Sequence, residues 1–158
     1  MPRLEAGQRA PDFSLEADDG STVSLADLAG STAVLYFYPK DETSGCTAEA
    51  CEFRDLTPDY DAAGARVIGV SPDPVTSHVL FRDKHGLPFT LLSDPDHAVA
   101  EAYGVWVQKS MYGRTFMGVE RSTFVIGPDG TIVQALYKVR PKGHAASVLE
   151  LVASPPAP

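Results

Sequence analysis

Cysteine is scarce in this chain. Only Cys46 and Cys51 occur among its 158 residues. A single structural disulfide between them would close a loop so short that it constrains the unfolded chain only modestly. The four histidines, His78, His85, His97 and His144, are scattered without ligand spacing, which argues against a zinc site and against a Cys–His hydrolase. They are expected as solvated surface or helix residues. Cations are also short: 13 Lys and Arg against 21 Asp and Glu leave a net charge of -8, and no Lys/Arg run appears. Such a chain lacks the positive excess that displaces counterions from nucleic acid. Long apolar runs are missing as well. The longest, Ala33 to Tyr38, falls far short of the roughly 20 residues that span a bilayer. The stretch Met1 to Ala10 has no apolar middle of the signal-peptide kind, so a cytoplasmic location is expected.

What is present reads as one globular α/β unit over residues 1–153. No internal repeat or linker divides it. The tail Ser154 to Pro158, with three prolines in five residues, is expected to be disordered. Asp18-Asp19-Gly20 is a turn signal between Phe13 to Glu16 and Thr22 to Ser24, which predicts an N-terminal β-hairpin. Thr32 to Tyr38 and Arg66 to Ser71 are β-branched or aromatic and mostly apolar, the pattern of central strands buried on both faces. Further strands are expected at Thr90 to Ser93, Ser122 to Ile126 and Ile132 to Leu136. The last two are joined by the Gly127-Pro128-Asp129-Gly130 turn. Helices fit Cys46 to Ala62, Val75 to His85, Ala98 to Tyr103 and Ala145 to Val152. The order implies a mixed central sheet flanked by helices. The thioredoxin-like architecture is one member of that class, and periodicity alone does not select it.

The segment with the cysteines runs from a buried strand through a polar loop into a helix that begins near Thr43 to Cys46. Thr43 or Ser44 can cap that helix. Cys46 then lies in or beside the first turn, where unpaired N–H groups and the helix dipole favour a thiolate. Full ionisation of an ordinary thiol raises its reactive fraction by roughly thirty-fold at neutral pH. Enzymes commonly supply accelerations on the order of a million-fold or more, so charge on a leaving group must also be stabilised. Thr43, loop N–H groups and a nearby cation are the natural donors. Cys51 follows five residues later. On one helix the two sulfurs start about 7.5 Å apart along the axis and about 140° apart around it. A disulfide needs Cα atoms roughly 4.4 to 6.8 Å apart, so closure requires Cys46 outside the helix or unwinding of the first turns. A close cysteine pair in a reducing compartment is redox-active or metal-binding more often than structural. The Cys-x-x-Cys spacing of protein thiol–disulfide oxidoreductases is absent. A redox sensor stays open as a further role. Arg121 on its own reads more readily as the partner of a carboxylate than as a catalytic cation. Trp106, Tyr112, Phe116 and Met117 read either as an apolar substrate wall or as ordinary core.

Pro39, Thr43 and Cys46 stand in a Pro-x-x-x-Thr-x-x-Cys arrangement, followed by Gly45-Cys46-Thr47, a second cysteine at Cys51 and Phe53-Arg54-Asp55. Leu87 to Asp94, Tyr103-Gly104-Val105-Trp106 and Arg121 to Ile126 continue the pattern. In this ordered set, from about Ala6 to Val152, the chain resembles the peroxiredoxins, specifically the bacterioferritin comigratory protein or peroxiredoxin Q branch. The resemblance implies a thioredoxin-like fold and a peroxidase of the atypical 2-Cys type. Cys46 would be the peroxidatic cysteine and Cys51 the resolving one. Thr43 would hydrogen-bond thiolate and peroxide, Pro39 would shield the pocket, and Arg121 would supply the cation. It further implies peroxide substrates, an intramolecular Cys46–Cys51 disulfide, a thioredoxin-like reductant, a monomer, and no cofactor or metal. Ser44 departs from the proline usual in this branch, which leaves the loop less rigid without removing a catalytic group. Glu49 matches the branch but carries no assigned role.

Overall fold

Gly20 takes the left-handed conformation (φ 86°) that lets Asp18-Asp19-Gly20 reverse the chain. It joins β1 (Ser14–Ala17) to β2 (Thr22–Ser24) as the expected antiparallel hairpin, with Leu15 opposite Val23. The structure, a computed structural model, describes residues 3–153; the tail expected to be disordered lies outside the described residues. Next come β3 (Thr32–Phe37), α1 (Ser44–Asp55), α2 (Thr57–Ala62), β4 (Ala65–Ser71), α3 (Val75–His85), β5 (Thr90–Ser93) and α4 (Ala98–Ala102). The chain continues through β6 (Trp106–Met111), β7 (Arg114–Val119), β8 (Ser122–Ile126), β9 (Ile132–Leu136) and α5 (His144–Ala153).

Seven strands form one mixed sheet in the order β2-β1-β5-β4-β3-β8-β9. β3, β4 and β5 are parallel, and the flanking pairings are antiparallel. The parallel centre is apolar because helices cover both faces. Alternate residues serve two cores. Leu35, Phe37, Ile68 and Phe124 pack with α4 and the N-terminal segment on one face. Val34, Tyr36, Val67 and Val125 pack under α1, α3 and α5 on the other. Tyr36 lies opposite Gly69 across β3 and β4, and a Cβ on Gly69 would stand 2.9 Å from the tyrosine ring. That glycine gives Tyr36 room to stack on Phe53 of α1 with centroids 4.7 Å apart. Burial of Phe53 contributes about 2–3 kcal/mol and presses α1 onto the sheet.

Three expectations change. The single helix expected over Cys46 to Ala62 is two. Pro58 has no N–H to continue a helix and sits in the first turn of α2, and Leu56 (φ -98°, ψ 3°) breaks the path between them. The β6–β7 hairpin was not expected at all. Its two-residue turn, Tyr112-Gly113, has positive φ at both positions (53° and 77°), and a tyrosine in the first place conceals the usual Asn-Gly signal. Tyr112, Phe116 and Met117 on this hairpin are exposed, so they are neither core nor a closed wall, while Trp106 stacks on His97 with ring centroids 3.9 Å apart. Finally, His78 and His144 are buried rather than solvated, because each has hydrogen-bond partners inside the protein.

Candidate active site

The antiparallel register of β3 and β8 sets Ser122 opposite Phe37. The residue before β8, Arg121, therefore stands beside the loop that leaves β3 and enters α1. Its carbonyl is held by the N–H of Val139 at 2.9 Å. On α1, Cys46, Glu49, Ala50 and Phe53 follow the i, i+3, i+4, i+7 spacing of one face and are the buried residues of the helix. Cys46 is only 1% exposed, and Cys51, also a free thiol, is half-buried. Both cysteines lie inside α1, so the geometric objection to a disulfide within an intact helix applies to this chain.

Arg121 joins the two polar groups of that buried face. Nη2 donates to Cys46 Sγ at 3.3 Å, and Nη1 donates to Glu49 Oε1 at 2.7 Å. Burial works against the guanidinium's charge, but Glu49 and Cys46 beside it hold its pKa above the ordinary value. Burial pushes the Glu49 carboxyl up to about 7, against the pull of Arg121. Its second oxygen, Oε2, is buried without a hydrogen-bond partner among the described residues. A Cβ on Gly45 would stand 3.2 Å from Arg121 Nη2, so glycine at 45 lets the guanidinium reach the start of the helix. His144 Nε2 lies 2.7 Å from Thr123 Oγ1. Burial, helped by Arg121, lowers its pKa to about 4, which leaves the imidazole neutral at pH 7. Arg121 also lines a cleft of about 490 Å3 with Val107, Lys109, Glu120 and Lys138. Burial and the nearby guanidinium lower the pKa of Lys109. Among the described residues, no group of three or more His, Cys, Asp or Glu side chains is gathered to hold a metal ion.

Arg121 and Cys46 thus meet, while Cys51 lies farther along α1, outside the buried face that carries Cys46 and Glu49. Pro39 is half-buried at the start of the loop. Thr43 occupies the N-cap position, yet its hydroxyl neither caps α1 nor bonds the sulfur; it donates to the carbonyl of Lys40 at 2.9 Å. Sequence reasoning placed Glu49 and Gly45 in the family pattern but gave neither a role. The signal for Glu49 was a carboxylate on the apolar face marked by Cys46, Ala50 and Phe53. The signal for Gly45 was its place beside the cysteine, which becomes meaningful only once the arginine is seen against it.

Residues 6–135 match the model of the AhpC/TSA family. The chain is 49% identical over 147 residues to peroxiredoxin Bcp of Bacillus subtilis, covering 93% of this chain and 94% of that one. It is also 49% identical over 146 residues to a putative peroxiredoxin bcp of Coxiella burnetii, covering 92% and 97%. The solved structure of Xanthomonas campestris peroxiredoxin Q superposes with a TM-score of 0.88 at 44% identity, over 94% of this chain and 97% of that one. A further X. campestris structure, of bacterioferritin comigratory protein as a trapped intermediate/ligand complex bearing on alkyl peroxide reduction, matches with a TM-score of 0.88 at 43% identity, over 94% and 97%. The chain belongs to the AhpC/TSA family, in its peroxiredoxin Q and bacterioferritin comigratory protein branch, with the thioredoxin-like fold of that family.

Proposed function

We infer that the chain is a thiol peroxidase that reduces hydrogen peroxide and organic hydroperoxides through Cys46. The observation that carries this reading is the guanidinium N–H of Arg121 set 3.3 Å from a buried cysteine sulfur. The Cys46 thiolate attacks one peroxide oxygen and the O–O bond breaks. The leaving oxygen takes a proton and departs as water or alcohol, and the sulfur is left as sulfenic acid. Arg121 steadies the charge that moves onto that oxygen. Thr43 turns its hydroxyl from Lys40 toward the bound peroxide, and Pro39 keeps water from the loop side. Cys51 then attacks the sulfenic sulfur, expels water and forms the Cys46–Cys51 disulfide. An external thioredoxin-like dithiol reduces it by exchange.

Burial supports the choice of substrate. A sulfur 1% exposed admits a small peroxide far more readily than a disulfide on another protein. The cleft that Arg121 lines offers space for the organic part of a hydroperoxide. The X. campestris relative described for alkyl peroxide reduction points the same way. Among the described residues, no helix is long and apolar enough to cross a membrane. We place the enzyme in the cytoplasm as a monomer of one folded unit over residues 1–153.

Stopped-flow mixing of reduced protein with hydrogen peroxide tests the reading. Rapid consumption with one disulfide per equivalent is expected. Cys46→Ser should abolish it, and Cys51→Ser should react once and hold sulfenic acid. Arg121→Ala should slow the first step by about 10²- to 10³-fold, the range for losing a donor to a developing oxyanion. A wild-type rate no faster than free cysteine sinks the proposal.

A further inference from the structure

Asp41 lies in the loop between β3 and α1, five residues ahead of Cys46, and is 4% exposed. Its side chain is engaged by α3. Oδ2 accepts from Ser77 Oγ at 2.8 Å and lies 2.7 Å from His78 Nδ1, while Oδ1 accepts from the hydroxyl of Tyr38 at 2.6 Å. His78 is fully buried, and its other nitrogen, Nε2, lies 2.9 Å from the carbonyl oxygen of Leu92 on β5. A carbonyl only accepts, so Nε2 carries a hydrogen. Nδ1 and the Asp41 carboxyl then share the one proton of the 2.7 Å contact. The loop backbone is tied down too. Asp41 N–H donates to Asp73 Oδ2 at 2.7 Å, and Ser71 Oγ donates to that same oxygen at 2.8 Å. Glu42, with φ of 66°, is bridged to Lys84 at 2.9 Å.

None of these groups is hydrogen-bonded to the sulfur, whose donor is Arg121. They determine where the chain enters α1. We propose that His78 is a positioning residue for the peroxide step: through Asp41 it fixes the loop carrying Pro39 and Thr43, and so holds the first turn of α1 in the wound form that sets Cys46 against Arg121. This rests on reading Cys46 as the attacking sulfur. Disulfide closure needs the first turns unwound, so wound and unwound forms compete, and a contact made only at a fixed helix entry favours the wound one. Loss of the His78 contact therefore slows the first chemical step without slowing the second. Peroxide attack slows, because fewer molecules hold the sulfur at the guanidinium. Disulfide closure keeps its rate or accelerates, because unwinding becomes easier.

The test is stopped-flow measurement of both phases in H78L, which keeps bulk but removes both ring nitrogens, and in H78N, which keeps a donor facing Asp41. H78L is expected to slow the peroxide phase by about 10- to 100-fold, the scale of a small misplacement of reacting groups. Its disulfide phase should be no slower than wild type, and H78N should recover most of the loss. A role in overall stability alone would not give this pattern. If H78L does not fold, as judged by circular dichroism, S77A carries the test. It removes one donor to Asp41 Oδ2 and should slow the peroxide phase by less, again without slowing disulfide closure. An unchanged peroxide phase in the folded variants, or equal slowing of both phases, overturns the proposal. A fast wild type with an indifferent H78L refutes only this positioning role, whereas a slow wild type refutes the peroxidase reading itself.

Discussion

Glu49 is a carboxyl in conflict with its surroundings. One oxygen receives a charged donor from Arg121, and the other is buried without a partner among the described residues. Burial wins, and the group titrates at about 7. As pH rises through that value, the carboxyl gains the charge that grips Nη1 of Arg121 and leaves Nη2 directed at the sulfur. The peroxide step is expected to gain rate between about pH 6 and 8 through this group. Glu49→Gln should remove that inflection, as pre-steady-state rates across the pH range would show. The stability sign runs the other way. The folded value lies above the ordinary 4.5, so the fold is favoured below about 4.5 and loses stability as pH rises to about 7. The loss is about 3 kcal/mol at most, and urea midpoints for Glu49→Gln should fall less between pH 4.5 and 8 than those of wild type. The sequence places Cys46, Cys51 and Arg121 by motif. It does not show that Glu49 and the sulfur share one guanidinium, because that sharing spans 72 positions from Glu49 to Arg121.

In the proposed cycle, the helix that carries both cysteines is well packed and still opens. Phe53 anchors its second half under Tyr36, and Leu56 and Pro58 separate it from α2. Unwinding can therefore begin at Ser44 and stop before Phe53 without disturbing Thr57–Ala62, whose Tyr60 hydroxyl donates to the carbonyl of Ala145 at 2.6 Å. Hydrogen exchange is expected to show amides of residues 46–51 losing protection on oxidation, while those of α2 and α5 keep theirs. Equal protection in both redox forms would mean that the disulfide closes without unwinding. The break at Leu56 was legible in principle from Pro58, yet the apolar spacing of Cys46 to Ala62 reads as continuous. Proline in a first helical turn starts a helix as readily as it ends one.

At the scale of the molecule, oxidation pits two energies against each other. A disulfide across so short a loop constrains the unfolded chain by about 2 kcal/mol. Unwinding α1 removes Cys46 from its site and leaves Arg121 and Glu49 without the sulfur, and disturbing a buried charged set costs about 3–5 kcal/mol. The oxidised protein should be the less stable form, melting about 2–10 °C below the reduced form for a chain of this size. Calorimetry of the two forms checks this, and a higher Tm on oxidation would show that the helix opens at little cost.

The pattern of residues alone determines the strands of the seven-stranded sheet, the two-faced burial of β3 and β4, the N-terminal hairpin, and the place of Cys46 near the start of a helix that follows a buried strand. These depend on local periodicity and turn chemistry, which a single chain displays. Tertiary structure decides the rest. The β3–β8 register brings Arg121 to Cys46, Gly45 leaves room for the guanidinium, and His78, expected in solvent, becomes the buried partner of Asp41. Each of these depends on distance between residues far apart in the chain, and that distance exists only once the sheet has closed.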